Sequence, residues 1–303
     1  MGLVPGAQAS PEREDSGDLL GRIRRLERAS RALEPGVTRR RRLRDAVIAS
    51  AERFLRRIRS QEAYVTADDP GRGVLAAPIG ERGMPLARVI GLLEQEVVRP
   101  GGHPASPGHF AYIPGGGLYH AALADYLAAV SDKYAGVFFT GPGPVRMENQ
   151  LVRWVADLVG YPPSAGGTTA SGGSIANLTA VVAAREAHQL RAADYARAVV
   201  YLTSQAHHSI HKALRIAGMA EAQVREIALD ERYRMRSDAL ARAIAEDRGR
   251  GLRHWLIAAA AGATDTGAVD PLDAIADVAA REGCWFHVDA AYGGFFLLTA
   301  HGR

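Results

Sequence analysis

The spacing of apolar residues along the chain changes character near residue 165. Before that point they recur at intervals of three and four, the signature of helices with one buried face. The pattern predicts helices near 18–33 and 38–61, parted by Glu34, Pro35 and Gly36, and further helices near 85–98, 118–131 and 147–159. In TRRRRLRDAVIASAERFLRRI, the residues Leu43, Val47, Phe54, Leu55 and Ile58 share one helical face and the arginines fall mostly elsewhere. Two stretches hold too much Gly and Pro for regular structure. One is the loop from Asp68 to Pro85; the other is PGGHPASPGHFAYIPGGG, which starts at Pro100.

From residue 165 onward, short β-branched or apolar runs alternate with helical patterns. Ala198 to Thr203, Gln223 to Ala228, Trp255 to Ala260 and Cys284 to Val288 read as strands. Helices are expected between them near 174–190, 208–217, 237–248 and 270–282, the last with Asp270 as N-cap and Pro271 at the first helical position. This alternation predicts an α/β fold, a mostly parallel sheet with helices on both faces, in which ligands sit at the carboxyl ends of the strands. The resulting division is a disordered tail (1–17), a helical N-terminal segment (18–98) and a large domain (99–303).

Composition narrows the function classes. The 303 residues are 47% hydrophobic and 23% charged, a soluble globular mixture. No apolar run reaches the ~20 residues of a membrane span. The N-terminus carries no apolar signal-peptide core, and a single cysteine, Cys284, excludes an internal disulfide, so a cytoplasmic setting is expected. The basic pI is a local feature: Arg13 to Arg59 holds fifteen Arg against seven acids, so the remaining residues sum to −4. A solvated helix face accounts for that run, and aromatic residues do not alternate with it as a nucleic-acid binder would prefer.

Three stretches carry chemistry. In TTASGGSIANLTAVVAAR, Gly172 and Gly173 permit close backbone approach, and the helix that follows aims free N–H groups at whatever lies before it. That is a cradle for an anion such as phosphate, although a glycine turn before a helix also serves as a plain turn. In LTSQAHHSIHKAL a strand gives way to a helix, which places His207 and His208 at the ligand edge of the sheet. No carboxylate or thiol stands at zinc-binding spacing from these and His211. In HVDAAYGG, Asp289 ends an apolar strand, so its carboxylate needs a cap, a loop donor or a cationic ligand group such as a protonated pyridine nitrogen.

In this order and spacing, HPASPGHFAYIPGGG, SGGSIANL, SQAHHSIHKA, GATDTGAVDP and HVDAAYGG resemble the group II pyridoxal-phosphate-dependent decarboxylases, which include aromatic-L-amino-acid and glutamate decarboxylases. The similarity runs from about residue 85 to the end. It implies a fold-type I domain, pyridoxal 5'-phosphate as cofactor, an amino acid as substrate and a homodimer. Carried over position by position, Gly173 and Ser174 hold the cofactor phosphate. His207 stacks on the pyridine ring and borders the reacting substrate, and Asp289 pairs with the ring nitrogen. Ala291 packs beside the ring and Thr264 lies close to it. Tyr112, Ile113, Pro114 and Gly115 line the substrate pocket. Arg146 departs from the family, where an acid is common, while Glu148 is retained.

The family's Schiff-base lysine lies some thirty residues beyond the matched aspartate, which falls past residue 303. Neither of the two lysines, Lys133 and Lys212, stands at its position. The resemblance therefore implies the front part of a decarboxylase, lacking the small C-terminal domain and inactive by itself. Another reaction on the same fold, such as a lyase or aminotransferase reaction, and a non-catalytic partner or remnant are the alternatives.

Overall fold

A computed structural model describes residues 18–302 apart from 32, 81, 82, 111 and 114. The expected disordered tail, 1–17, lies outside the described residues. The described residues form two compact units, one ending at Phe110 and the other beginning at residue 111.

The first unit contains α1 (Leu19–Ser30), α2 (Val37–Arg57), the two-residue strand β1 (Tyr64–Val65), α3 (Arg72–Ala76), α4 (Leu86–Leu93) and β2 (Gly101–Gly102). Helix α4 runs into a π-helical turn, Glu94–Val98, whose acids tie the unit together. Glu94 accepts from Ser50 and from Arg53 (2.7 Å), and Glu96 accepts from the Gly73 N–H (2.9 Å). Two stretches expected to be irregular contain ordered pieces. Gly71, at φ +82°, opens α3 within the first loop. In the second, Gly101 and Gly102 pair antiparallel with β1. The imidazole of His103 then lies 2.7 and 3.0 Å from the carbonyl oxygens of Glu62 and Val98, and the Ser106 hydroxyl donates to the Gln61 carbonyl (2.6 Å). Backbone carbonyls fastened by side chains replace the pattern that sequence periodicity would have revealed.

The second unit begins with α5 (Tyr119–Ser131), α6 (Pro142–Leu158) and α7 (Gly173–Ala187), and continues as β3 (Ala198–Leu202), α8 (Ser209–Ile216), β4 (Gln223–Glu226), α9 (Ser237–Gly249), β5 (Arg253–Ala260), α10 (Leu272–Glu282) and β6 (Trp285–Asp289). The four strands are parallel in the order β4-β3-β5-β6, so every strand ends at one edge. Side chains alternate across the sheet with the period of two that strands impose. Val200, Leu202, Leu256 and Ala258 meet Val181, Ala184, Ile210 and Leu214 of α7 and α8 on one face. Val199, Tyr201, Ile257 and Ala259 meet Leu240, Ile244, Ile275 and Val278 of α9 and α10 on the other. Both faces are covered by helices, as the sequence pattern predicted. Among the described residues no helix is long and apolar enough to cross a membrane.

Three further expectations change. Helix α6 starts at Pro142, five residues before the predicted start, because a proline in the first turn fits a helix opening. Strand β5 starts at Arg253, since Arg253 and His254 pair with Ala198 and Val199. A register shift after that pair leaves Trp255 as the extra residue, buried against the α7 and α8 side. Asp270 does not cap α10, whose first residue is Leu272, and Pro271 stands at the N-cap and not at the first helical position. The buried Asp270 carboxylate instead accepts from the backbone N–H groups of Met235 (2.6 Å) and Ala260 (2.8 Å). Once the strand end brings two orphan donors together, satisfying them outweighs a cap that water could provide.

Candidate cofactor site

All four strands deliver their carboxyl ends to one edge, and a cavity of about 270 Å³ opens there. It lies between the end of β5, the end of β6, the loop after β3 and the start of α7, where α/β sheets place ligands. Gly173, Ser174, His207, Thr264, Asp289, Ala291 and Ile113 all line it, residues up to 178 positions apart in sequence (113 to 291). Tyr112 and Gly115 are not among the lining residues, and Pro114 lies outside the described residues.

Each wall has a local cause. Gly173 and Ser174 form the first turn of α7, whose leading N–H groups have no helical carbonyl to reach. Those groups and the positive end of the helix dipole favour an anion at that spot. The segment leading into this turn is fastened by Glu148 of α6, which accepts from the Thr169 N–H (2.9 Å) and hydroxyl (2.8 Å). These donors hold the Glu148 carboxyl below the usual range. Opposite, the chain must turn sharply after β5 and again after Asp289. Gly262 sits at φ +98°, and a Cβ on Gly293 would run into the Ala261 carbonyl oxygen. The two glycines let the two turns touch, which brings Tyr292 to the cavity wall.

Asp289 ends β6 half-buried, with Oδ2 accepting from Asn177 (3.0 Å) and Oδ1 from the Ala291 N–H (3.2 Å). Both partners are neutral, and no salt bridge to it occurs among the described residues. A carboxylate so placed favours a cationic group in the cavity. His207 lies in the turn between β3 and α8, its ring centroid 4.1 Å from that of His208. The neighbouring charges of His207 and Lys212 lower the pKa of His208, which is exposed. Among the described residues no three His, Cys, Asp or Glu side chains converge as metal ligands would.

Sequence reading did not single out Asn177, Ser209 or His287, each within reach of the signalled residues. Asn177 follows Ser174 by three positions, one helical turn, and is only 4% exposed. His287 precedes Asp289 by two positions and so shares its sheet face. A polar residue at a helical core position was the available signal.

A parallel sheet with an anion cradle, an imidazole and a strand-end carboxylate around one cavity defines a cofactor-binding α/β domain suited to a phosphorylated, cationic heterocycle. Residues 76–303 match the pyridoxal-dependent decarboxylase conserved domain, and the chain belongs to that family. It is 34% identical over 246 residues to an aromatic-L-amino-acid decarboxylase of Bacillus atrophaeus, covering 81% of this chain and 51% of the relative. To an L-2,4-diaminobutyrate decarboxylase of Rhizobium meliloti (strain 1021) it is 35% identical over 236 residues, 76% of this chain and 44% of that one. Among solved structures, mouse CSAD superposes with a TM-score of 0.78 at 26% identity, covering 89% of this chain and 58% of that one. Oryza sativa TDC with PLP and tryptamine superposes with a TM-score of 0.75 at 27% identity, covering 87% and 57%. The chain spans about half the length of the curated relatives it matches. The cofactor of the family is pyridoxal 5'-phosphate, and the cavity residues fit it: helix N–H groups for a phosphate, an imidazole for a ring face and a carboxylate without a cationic partner for a ring nitrogen.

Proposed function

We propose that this chain provides the cofactor-binding part of an amino-acid carboxy-lyase, which removes carbon dioxide from an L-amino acid to leave an amine. The observation that carries the proposal is Asp289, placed at the end of a core strand and facing the same cavity as the amides of Gly173 and Ser174. When bound, pyridoxal phosphate supplies an electron sink for the pair released as the carboxylate departs. The chain's own residues do the rest. Gly173 and Ser174 hold the phosphate, Asp289 keeps the ring nitrogen protonated, and His207 covers the ring face and borders the substrate. Ala291 and Thr264 pack beside the ring. Ile113, which lines the cavity, forms the substrate side together with its chain neighbours Tyr112 and Gly115.

Neither Lys133 nor Lys212 lines the cavity. The chain by itself therefore holds the cofactor without a covalent bond and turns over no amino acid. We place residues 99–303 in the cofactor-binding domain and 18–98 in a helical segment ahead of it, in a cytoplasmic protein. The active enzyme is a homodimer. In support, α5 exposes Tyr119, Leu123, Tyr126, Leu127 and Val130, followed by exposed Tyr134, Val137, Phe138 and Phe139, apolar side chains of the kind that subunit contacts cover.

Titration of the chain with pyridoxal 5'-phosphate, followed by tryptophan fluorescence and cofactor absorbance, tests the reading. Saturable uptake that weakens at least about tenfold in Asp289→Ala is expected, the scale of one lost charge-assisted contact. Uptake indifferent to Asp289→Ala would overturn it. Borohydride followed by peptide mapping should leave no stoichiometric pyridoxyl group on Lys133 or Lys212; such a group accompanied by turnover would refute the non-covalent reading.

A further inference from the structure

Asn177, on the cavity wall, is met by three polar side chains. Its Nδ2 donates to the Ser209 hydroxyl (2.8 Å) and to Asp289 Oδ2 (3.0 Å), and its Oδ1 lies 2.8 Å from His287 Nε2. The amide orientation is fixed by the carboxylate. A carboxylate oxygen only accepts, so the amino group must face Asp289. The remaining oxygen also only accepts, so His287 Nε2 must carry a proton and donate. Burial lowers the pKa of His287 and outweighs the nearby Asp289, which keeps that ring neutral and suits a single N–H on Nε2.

The direction of donation continues through Ser209. That hydroxyl accepts from Asn177, and its own hydrogen is left for His207 Nδ1, 2.6 Å away. The Ser209 backbone N–H points at the same nitrogen (3.3 Å). Two donors aimed at Nδ1 leave no place for a proton there, so of the two neutral tautomers the geometry selects the one with its hydrogen on Nε2. Asn177 is 4% and Ser209 1% exposed, so water cannot easily replace either partner.

We propose that Asn177 is the positioning residue of this site: directly it orients the Asp289 carboxylate, and through Ser209 it holds His207 as the Nε2–H tautomer, leaving that N–H as the ring's donor toward the cavity. The proposal deepens the cofactor reading and rests on it for the consequences at Asp289, but the tautomer of His207 can be read with nothing bound.

The test uses the chain labelled with ¹⁵N-histidine, in long-range ¹H–¹⁵N spectra at pH 7.5, with the His207 signals identified by their loss in His207→Gln. The wild type should show His207 as a single Nε2–H tautomer. Asn177→Asp, close to isosteric, removes the donor to Ser209 and supplies an acceptor that draws the Ser209 hydroxyl hydrogen away. The His207 signals should then shift to a tautomer mixture or to Nδ1–H, and Ser209→Ala should move them the same way. A His207 found as Nδ1–H in the wild type, or signals unchanged in both variants, would overturn the proposal. For the Asp289 half, Asn177→Leu should weaken pyridoxal 5'-phosphate binding at least about tenfold while a cooperative melt is retained. Unchanged affinity would refute that half. Should the leucine variant fail to melt cooperatively, the Ser209→Ala spectrum still decides the tautomer half. A wild type that takes up no cofactor would refute the cofactor reading, and the tautomer spectra would judge the inference separately.

Discussion

Replacing Asp270 by asparagine separates two accounts of that residue. As a helix N-cap, aspartate and asparagine are nearly equivalent, so Asp270→Asn would change stability by less than about 0.5 kcal/mol. In the folded chain, however, the carboxylate clamps two backbone amides. At 7% exposure it accepts the N–H groups of Met235 (2.6 Å) and Ala260 (2.8 Å). A hydrogen bond to a charged group contributes about 1.5–3 kcal/mol, and a buried donor left unpaired costs about 1–3 kcal/mol more. Asparagine keeps one acceptor and turns an amino group toward the other N–H, so one bond is lost and one backbone donor is orphaned. A loss of about 3–5 kcal/mol follows, a large share of the 5–15 kcal/mol that typically holds a domain together. The assay is urea unfolding followed by tryptophan fluorescence. All three tryptophans, Trp154, Trp255 and Trp285, lie in the unit that holds the sheet, so the signal reports on the right part of the chain. A midpoint for Asp270→Asn equivalent to less than about 0.5 kcal/mol of change, at unchanged m-value, would refute the clamp and restore the cap.

Two further expectations follow from the site. His287 is mostly buried, and burial holds its pKa below the ordinary histidine value, so the unfolded chain binds its proton more readily than the folded one. Stability should therefore be level at higher pH and decline as pH falls through the unfolded value of about 6.5, by at most about 1.4 kcal/mol per pH unit for this group. His188, lowered chiefly by burial as well, adds in the same direction. Urea midpoints between pH 8 and 5.5 check this: His287→Gln should flatten the decline, and a wild-type profile that rises toward acid would contradict it. Gly293→Ala should destabilise the sheet unit by roughly 1–3 kcal/mol, the scale of forced overpacking, because its Cβ meets the Ala261 carbonyl. Gly294→Ala, where the nearest atom is the Ala290 Cβ at 3.2 Å, should cost less, and equal urea midpoints for the two variants would count against the close turn-to-turn contact.

Much of this protein was legible in one dimension. Short β-branched or apolar runs marked the strands of the second unit and recurrences of about 3.6 residues marked its helices, because a strand covered on both faces is apolar throughout and a helix buries one face. The anion cradle, the histidine turn and the strand-end aspartate were visible for the same reason: each joins a chemical group to the end of a local element. Sequence could not show which distant groups would satisfy one another. Asn177 and His287 stand 110 positions apart and meet only because α7 lies across a sheet whose register carries β6 beside β5. Asp270 looked like a cap until folding brought the Met235 and Ala260 amides to it, and Trp255 is the surplus residue only with respect to its neighbour strand. Local repeats are written in the order of residues, whereas buried hydrogen bonds are settled by whichever donors and acceptors the packed sheet and helices leave unpaired.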